Sequence, residues 1–505
     1  MAMTRRDLLA SGAAAAATPH LPADTPAAAP AAPAGTPAPR TTTLRGTLPP
    51  GAPDFVEIPL DVPPGVSELR VSYTYDKPPV PPGTPGNALD IGIFDPHGTA
   101  LGGRGFRGWS GGARAAFFLR TDEATPGYLP GPLTPGRWHL LLGPYSVAPQ
   151  GLAYEITAAL SFGPAAPEAP RRYPPQRARG RGRSWYRGDC HIHSVHSDGR
   201  RTPAEIAVLA RAAGLDFINS SEHNTHSAHT AWAGVVPPEL LVLTGEEITT
   251  RTGHVLAVGT DPGTFVDWRY RARDDRFGRF ARAVRGAGGL VVPAHPHATC
   301  VGCAWKFGFG EADAVEVWNG PWTPDDEVAL ASWDATLRGG ARGERRLPAV
   351  AGSDYHRDPD RVGSPQTVVL ADDLTRGAVL AGLRAGRCYA AESDRVTVAF
   401  DAVTAYGAHA GIGERLRAEG PDADVRVRLS ATGAGVEGCE LRLVTDQGVV
   451  LTVPAAAATA PAPLEWHTTP ARSAYVRAEV RHPPTAPPLP GAPAALTNPV
   501  FLEAP

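Results

Sequence analysis

The strongest constraint on the fold is one local pattern, repeated between residues 186 and 385. An apolar, strand-forming run ends in His, Asp or Glu, and a helical or turn-rich segment follows before the next run. Runs at 216–221, 240–244, 289–294, 314–318 and 347–351 end in Glu222-His223-Asn224, Gly245-Glu246-Glu247, His295-Pro296, Asn319-Gly320 and Ser353-Asp354-Tyr355-His356. A further run, 255–259, is opened by Gly253-His254, and a last one lies at 367–370. Helices are predicted at 204–213, 275–285, 325–337 and 377–385. The first has a capping box, Thr202 to Glu205, with Pro203 at its first position, and it stops at Gly214. Fully apolar strands alternating with helices predict a parallel sheet. In a β/α barrel the C-terminal strand ends share one rim, and chemistry collects there.

The strand that opens this region runs from Tyr186 into a polar turn and carries His191-Ile192-His193, with Asp198 close behind. Residues two apart in a strand face the same way, so the two imidazoles share a face and Ile192 turns to the other. Imidazole and carboxylate together suit zinc, manganese and iron. An isolated His-x-His reads equally well as a pair of hydrogen-bonded core histidines. The ligand-type residues at the later strand ends tip the reading toward metal.

The remainder of the chain frames this region. At 505 residues the chain is too long for one core. With 48 basic and 51 acidic residues and a net charge of −3, it offers no electrostatic case for nucleic acid or an anionic membrane. No apolar run approaches the roughly 20 residues that span a bilayer. Residues 1–40 begin with Thr4-Arg5-Arg6-Asp7-Leu8-Leu9, a short Ala-rich run and Ala/Pro low complexity. They resemble a twin-arginine export signal followed by a disordered segment, which predicts an exported, extracytoplasmic protein. Residues 41–162 alternate with period two between Pro/Gly turns, which predicts a β-sandwich. Residues 163–185 are Pro/Arg-rich and read as a solvated linker, and 396–505 alternate again as a second sandwich. Five cysteines at irregular spacing are not a disulfide framework. Cys300 and Cys303 read as a disulfide or as two free thiols, and Cys190 as a small buried side chain.

Taken in order, His191-Ile192-His193 with Ser197-Asp198-Gly199, Glu222-His223-Asn224, Gly245-Glu246-Glu247, Gly253-His254, Ala294-His295-Pro296 and Ser353-Asp354-Tyr355-His356 resemble the PHP (polymerase and histidinol phosphatase) superfamily, in the branch named after CehA and McbA. The resemblance covers 186–395 and implies a distorted β/α barrel of seven strands with two or three divalent ions (Zn, Mn or Fe). It implies that His191, His193 and Asp354 hold a first ion and that Glu247 bridges two. It places His254 and His295 on the second ion, and Asp198, His223 and His356 around a third. Glu247 is preferred to Glu246 because the family ligand stands two residues after the glycine. Where Asp198 stands some relatives have His.

Clustered divalent ions acidify water and clamp the entering and leaving oxygens of an ester. The expected activity is therefore an exported metal-dependent phosphoesterase acting on a small-molecule ester. His356, Asp198 and Glu247 are the candidates for the chemical step. Hydrolysis of a carboxylic or carbamate ester is the alternative, and a non-catalytic exported metal-binding protein the third reading. His196, His226, His229, His297, Asn319 and Tyr355 stand beside ligands and are candidates for orienting substrate or supporting ligands, or are plain structure.

Overall fold

A computed structural model describes residues 37–340, 346–458, 463–485 and 490–505. The twin-arginine segment and most of the Ala/Pro stretch lie outside the described residues. No helix among the described residues is long and apolar enough to cross a membrane. The molecule is multidomain and strand-rich. Among the described residues, one compact unit comprises residues 37–170 with Thr299–Gly302, and the other runs from Arg171 to Ala298 and on from Cys303.

The first unit holds β1 (Arg40–Leu48), β2 (Val56–Val62), β3 (Val66–Tyr75), β4 (Ala88–Phe94), β5 (Phe106–Gly111), β6 (Ala116–Arg120), β7 (Gly136–Ser146) and β8 (Leu152–Phe162). They form two four-stranded antiparallel sheets, ordered β1-β8-β3-β6 and β2-β7-β4-β5. The inward residues of the two sheets, among them Leu69, Val71, Ile91, Ile93, Leu119, Trp138, Leu140 and Ile156, make one core. Two strands escape the alternation rule. β1 lies along the whole of β8 but is exposed over most of its length, so its Thr-rich sequence carries no apolar period. β5 contains Gly108, whose φ of 145° and closeness to Tyr128 leave no room for a side chain.

The second unit begins with the Arg-rich segment, an exposed stretch whose arginines find acidic partners. Arg177, Arg179, Arg181 and Arg183 pair with Asp373, Glu239, Asp216 and Asp372 at 2.6–2.9 Å. Ten strands follow: β9 (Ser184–Ile192), β10 (Phe217–Ser220), β11 (Leu241–Thr244), β12 (Glu246–Thr250), β13 (Gly253–Val258), β14 (Leu290–Ala294), β15 (Val315–Asn319), β16 (Ala349–Gly352), β17 (Gln366–Ala371) and β18 (Cys388–Ala391). Helices Pro203–Ala212, Phe277–Gly286, Pro324–Gly340 and Arg376–Arg384 lie close to their predicted positions. The capping box at Thr202 and Glu205 is formed.

The expected all-parallel sheet is only partly present. β10 runs parallel to β9 and β11, and β15 parallel to β16. β13 is antiparallel to both β12 and β14, and β17 is antiparallel to both β9 and β18. For β12 and β13 the reason is loop length. Only Arg251 and Thr252 separate β12 from β13, and a parallel return needs a crossover of about a dozen residues. The ladders are three separate ones rather than a closed seven-stranded barrel. They still share one apolar interior, with Phe217, Leu243, Leu256, Val292 and Val369 packed together.

The C-terminal strands are β19 (Thr397–Thr404), β20 (His409–Gly411), β21 (Arg415–Arg417), β22 (Val425–Thr432), β23 (Glu440–Thr445), β24 (Gly448–Pro454), β25 (Leu464–Thr468), β26 (Tyr475–Arg481), β27 (Pro493–Thr497) and β28 (Val500–Glu503). β20-β19-β22-β25 make one sheet of a sandwich. The other sheet is the continuation of β9, β17 and β18, because β27 pairs with β18 and passes the ladder on to β26, β23 and β24. Two devices fasten this half to the metal-type strands. Asn498 accepts from the Ala349 N–H at 2.8 Å and donates to its carbonyl at 2.9 Å, capping the edge of β16. The buried Arg477 and Arg481 flank Glu479 on β26 and reach Asp334 and Glu327 on the helix Pro324–Gly340.

Candidate metal centre

Strand ends set the positions of the polar side chains. Asp189 inside β9 is fully buried. Its Oδ1 accepts from the N–H of His191 at 3.1 Å and of Ser353 at 2.9 Å, and its Oδ2 from Ser353 Oγ at 2.5 Å and the Gly363 N–H at 2.8 Å. It stitches the end of β9 to the loop after β16. Backbone bonds complete that seam: the Asp354 N–H donates to the His191 carbonyl at 2.8 Å, and the His193 N–H to that of Tyr355 at 2.9 Å. Asp354 (φ 50°) and His295 (φ 29°) both sit in the left-handed region one residue or so past a strand. Such a backbone costs on the order of 1–3 kcal/mol for a non-glycine residue, and it turns each side chain back toward the strand ends. A bridge between His223 and Glu247 brings the ends of β10 and β12 alongside.

All nine residues expected to bind metal converge. Four groups have their donor atoms within 4.8 Å of one another: His191 with His193 and Glu247; His191 with His295 and Asp354; Glu247 with His254 and His295; and His193 with Asp198, His223 and His356. Glu247 belongs to two of the groups. The Nε2 atoms of His191 and His193 stand 3.4 Å from Glu247 Oε2 and 3.3 and 3.2 Å from Asp354 Oδ1. Ligands held about 2.1 Å from one ion at the tetrahedral angle stand about 3.4 Å apart, so these spacings fit a shared cation. Glu246, the alternative to Glu247, points away and accepts from the Val266 N–H instead.

The donor atoms are also unsatisfied. Among the described residues, Nε2 of His191, His193 and His254, Nδ1 of His295 and Oε2 of Glu247 are buried without a hydrogen-bond partner. A buried polar atom without a partner costs about 1–3 kcal/mol, and five of them in one place call for an ion. The opposite ring nitrogens are held by protein. His191 Nδ1 meets Glu316 Oε1 at 3.0 Å, His193 Nδ1 meets Ser197 Oγ at 3.3 Å, and His356 Nδ1 meets the Asp354 carbonyl at 2.8 Å. That arrangement leaves Nε2 of His191 and His193 facing Glu247 and Asp354, while His254 and His295 meet Glu247 Oε1 through Nδ1 at 3.0 Å and Nε2 at 3.1 Å.

Exposure grades across the site. His191, His193 and Glu247 side chains are 0 % exposed, and Asp198 is 44 % exposed, so the group around Asp198 is the mouth. Charge pulls the same way throughout. The ion pairs of Asp198, Glu247, Glu316 and Asp354 among the described residues are all with histidines. Burial opposes ionisation of Glu247 and Asp354, yet the surrounding imidazoles hold both well below the ordinary carboxylate range. Burial likewise opposes charge on His356 and His223. Asp198 and Asp354 pull the first up to about 10, and Glu247 and Asp198 the second up to about 9. His193 goes the other way, down to about 3, through burial and the charges of His356 and His223. The carboxylates stay anionic and demand positive charge, which a divalent ion supplies.

The softer candidates divide. His229 uses both ring nitrogens on backbone, Nε2 toward the Gly245 carbonyl at 2.8 Å and Nδ1 accepting from the Gly263 N–H at 3.0 Å, so it is structural. His196 Nδ1 meets Ser227 Oγ at 2.9 Å, and His226 lies against Phe265. Nothing places the ring of His297 on a ligand. Tyr355 packs in an apolar cluster, and Asn319 donates to Glu316 at 3.0 Å. Cys300 and Cys303 are disulfide-bonded, and Cys190, Cys388 and Cys439 are free and buried. The sequence reading missed the buried carboxylates Asp189, Glu222 and Glu316. Glu222 accepts from the N–H of Ser194 and the hydroxyls of Ser194 and Ser197, which shapes the loop under His193. A carboxylate inside an apolar strand, as in Val315-Glu316-Val317, was the available signal.

No family model and no curated protein matches the chain. Solved structures similar to it include a two-domain protein containing a predicted PHP-like metal-dependent phosphoesterase from Bacteroides vulgatus, 16 % identical over 65 % of this chain and 99 % of that one, TM-score 0.33. A putative metal-dependent phosphoesterase from Bifidobacterium adolescentis is 22 % identical over 35 % of this chain and 90 % of that one, TM-score 0.25. An amidohydrolase from Chromobacterium violaceum is 19 % identical over 35 % and 89 %, TM-score 0.26. With scores this low, the assignment below rests on the residues of the site.

Proposed function

We propose that the chain is an exported metal-dependent hydrolase of the PHP superfamily, in the CehA and McbA branch, acting on a small-molecule phosphoester. One observation carries the reading: a set of buried nitrogen and oxygen donors, several of them partnerless, in groups that interlock through His191, Glu247 and His295. His191, His193, Glu247 and Asp354 would hold one divalent ion, and Glu247, His254 and His295 a second. Asp198, His223 and His356 would hold a third with His193. Such ions supply Lewis acidity and bring the pKa of water near neutrality.

The chain's own residues do the rest. Glu247, lying in two groups, would serve both inner ions. The carboxylates beneath them keep the floor anionic, and the exposed rim at Asp198 and His356 is where an ester enters. With the rim free of metal, His356 holds a proton at Nε2, 3.2 Å from Asp198 Oδ1. There it is placed to pass that proton to a leaving oxygen.

The test is elemental analysis of purified protein together with a panel of aryl phosphates, carboxylates and carbamates. Bound Zn, Mn or Fe and phosphatase activity lost in His191→Ala support the proposal. Turnover of carboxylic or carbamate esters alone moves it to the alternative ester class. Metal without turnover makes it a binding protein, and no metal ends it. Export rests on Arg5 and Arg6 and is tested by the location of a reporter fused to residues 1–40 before and after Arg5→Lys with Arg6→Lys.

A further inference from the structure

We infer that Glu316 is the positioning residue that locks the inner half of the site, fixing one ligand by its ring and another by its backbone. The inference rests on the metal reading of the site. Glu316 lies in β15, is 0 % exposed, and is the only carboxylate in that strand. Its Oε1 stands 3.0 Å from His191 Nδ1, and its Oε2 accepts from the His295 N–H at 2.8 Å and from Asn319 Nδ2 at 3.0 Å.

Each contact has a separate consequence. With an ion on Nε2, the bond to Glu316 would keep the ring proton of His191 on Nδ1, on the side away from Glu247 and Asp354. The bond to the His295 N–H holds a histidine whose φ of 29° is unfavourable for any residue with a side chain. The glycine behind it closes the arrangement: a Cβ on Gly352 would stand 2.5 Å from His191 Cβ and 2.9 Å from Glu316 Oε1. Three donors therefore converge on the two oxygens of one carboxylate. A glutamine of the same shape offers one oxygen and turns an NH₂ group toward at least one donor, so the contacts cannot all survive. Three of the four donor groups use His191 or His295. The fourth, at the mouth, uses neither.

The experiment is a zinc titration against a competing chelator of the full-length chain, stripped of metal, as wild type, Glu316→Gln and Asn319→Ala. Supporting a metal-bound histidine in this way is typically worth 10–100-fold in affinity. Glu316→Gln is expected to weaken the inner ions by about that factor while a mouth ion, where the wild type binds one, keeps its affinity within about threefold. Asn319→Ala, which removes one of the three donors to Glu316 and leaves its carboxylate in place, is expected to lose less than tenfold. Near-UV circular dichroism of the metal-free proteins checks that Glu316→Gln is folded. A folded Glu316→Gln that titrates like wild type overturns the inference, and so does an equal loss at every ion. A wild type that takes up no zinc, manganese or iron sinks the metal reading itself, a result the variant titration cannot mimic.

Discussion

Glu479 offers a measurable test of how the second unit is held together. Its carboxylate lies between Arg477 (2.6 Å) and Arg481 (2.6 Å), and all three side chains are buried. Burial alone would raise its pKa. The two guanidiniums overcome that and bring it from 4.5 down to about 2. The unfolded chain therefore takes up this proton first, and the stability tied to Glu479 is full above about pH 5 and fades as pH falls toward 2. That lowering corresponds to roughly 3 kcal/mol in total, of which roughly 1 is gone at pH 4 and roughly 2 at pH 3. Glu479→Gln is neutral at every pH and leaves two buried guanidiniums short of a partner. It should be less stable than wild type by about 3 kcal/mol at pH 7, and the gap should close along that curve on acidification. Urea unfolding of both proteins at pH 7, 4 and 3, followed by near-UV circular dichroism, reads the gap directly. A gap that stays constant down to pH 3 would refute the account, as would one below about 1 kcal/mol at pH 7.

Other outcomes follow from the same geometry. His191→Ala removes a donor from two groups at once and should lower bound metal by at least one ion per chain in elemental analysis, with hydrolysis falling at least about 100-fold. Because His223 and His356 are pulled above neutrality in the metal-free protein, adding zinc to weakly buffered protein at pH 7.5 should release protons, and affinity should rise with pH; a pH-independent titration would contradict this. Asp189→Ala strands four donors around the seam between β9 and the loop after β16. It should lose about 3 kcal/mol or more of unfolding free energy and weaken the ion held by Asp354.

How much of this was legible beforehand depended on the kind of signal. Ligand-type residues placed one after another at the ends of apolar runs are a pattern in one dimension, and all nine fell together in space. Helix positions were legible for a similar local reason, since Thr202 and Glu205 or Gly214 announce ends without help from the fold. Strand direction was not. The two-residue turn between β12 and β13 forces an antiparallel pair, but Gly245-Glu246-Glu247 reads as a loop until its pairing with β13 is known. The carboxylates under the ligands were missed because their meaning is relational. Glu316 is one odd residue in an apolar strand until His191 and His295, far away in sequence, are seen to lean on it. The ion pairs of the Arg-rich segment were hidden for a similar reason: its acidic partners, Asp216, Glu239, Asp372 and Asp373, are scattered along the chain.

The pairing of β27 with β18 bears on how the molecule is made. A ribosome delivers His191, Glu247 and Asp354 long before Pro493–Thr497 and Asn498, the residues that seal the neighbouring edge. During that interval the ligand-bearing half has an open flank, and a nascent chain arrested there would expose sticky strand edges to other chains. The edge of β18 is thus closed only once residues 493–497 have emerged.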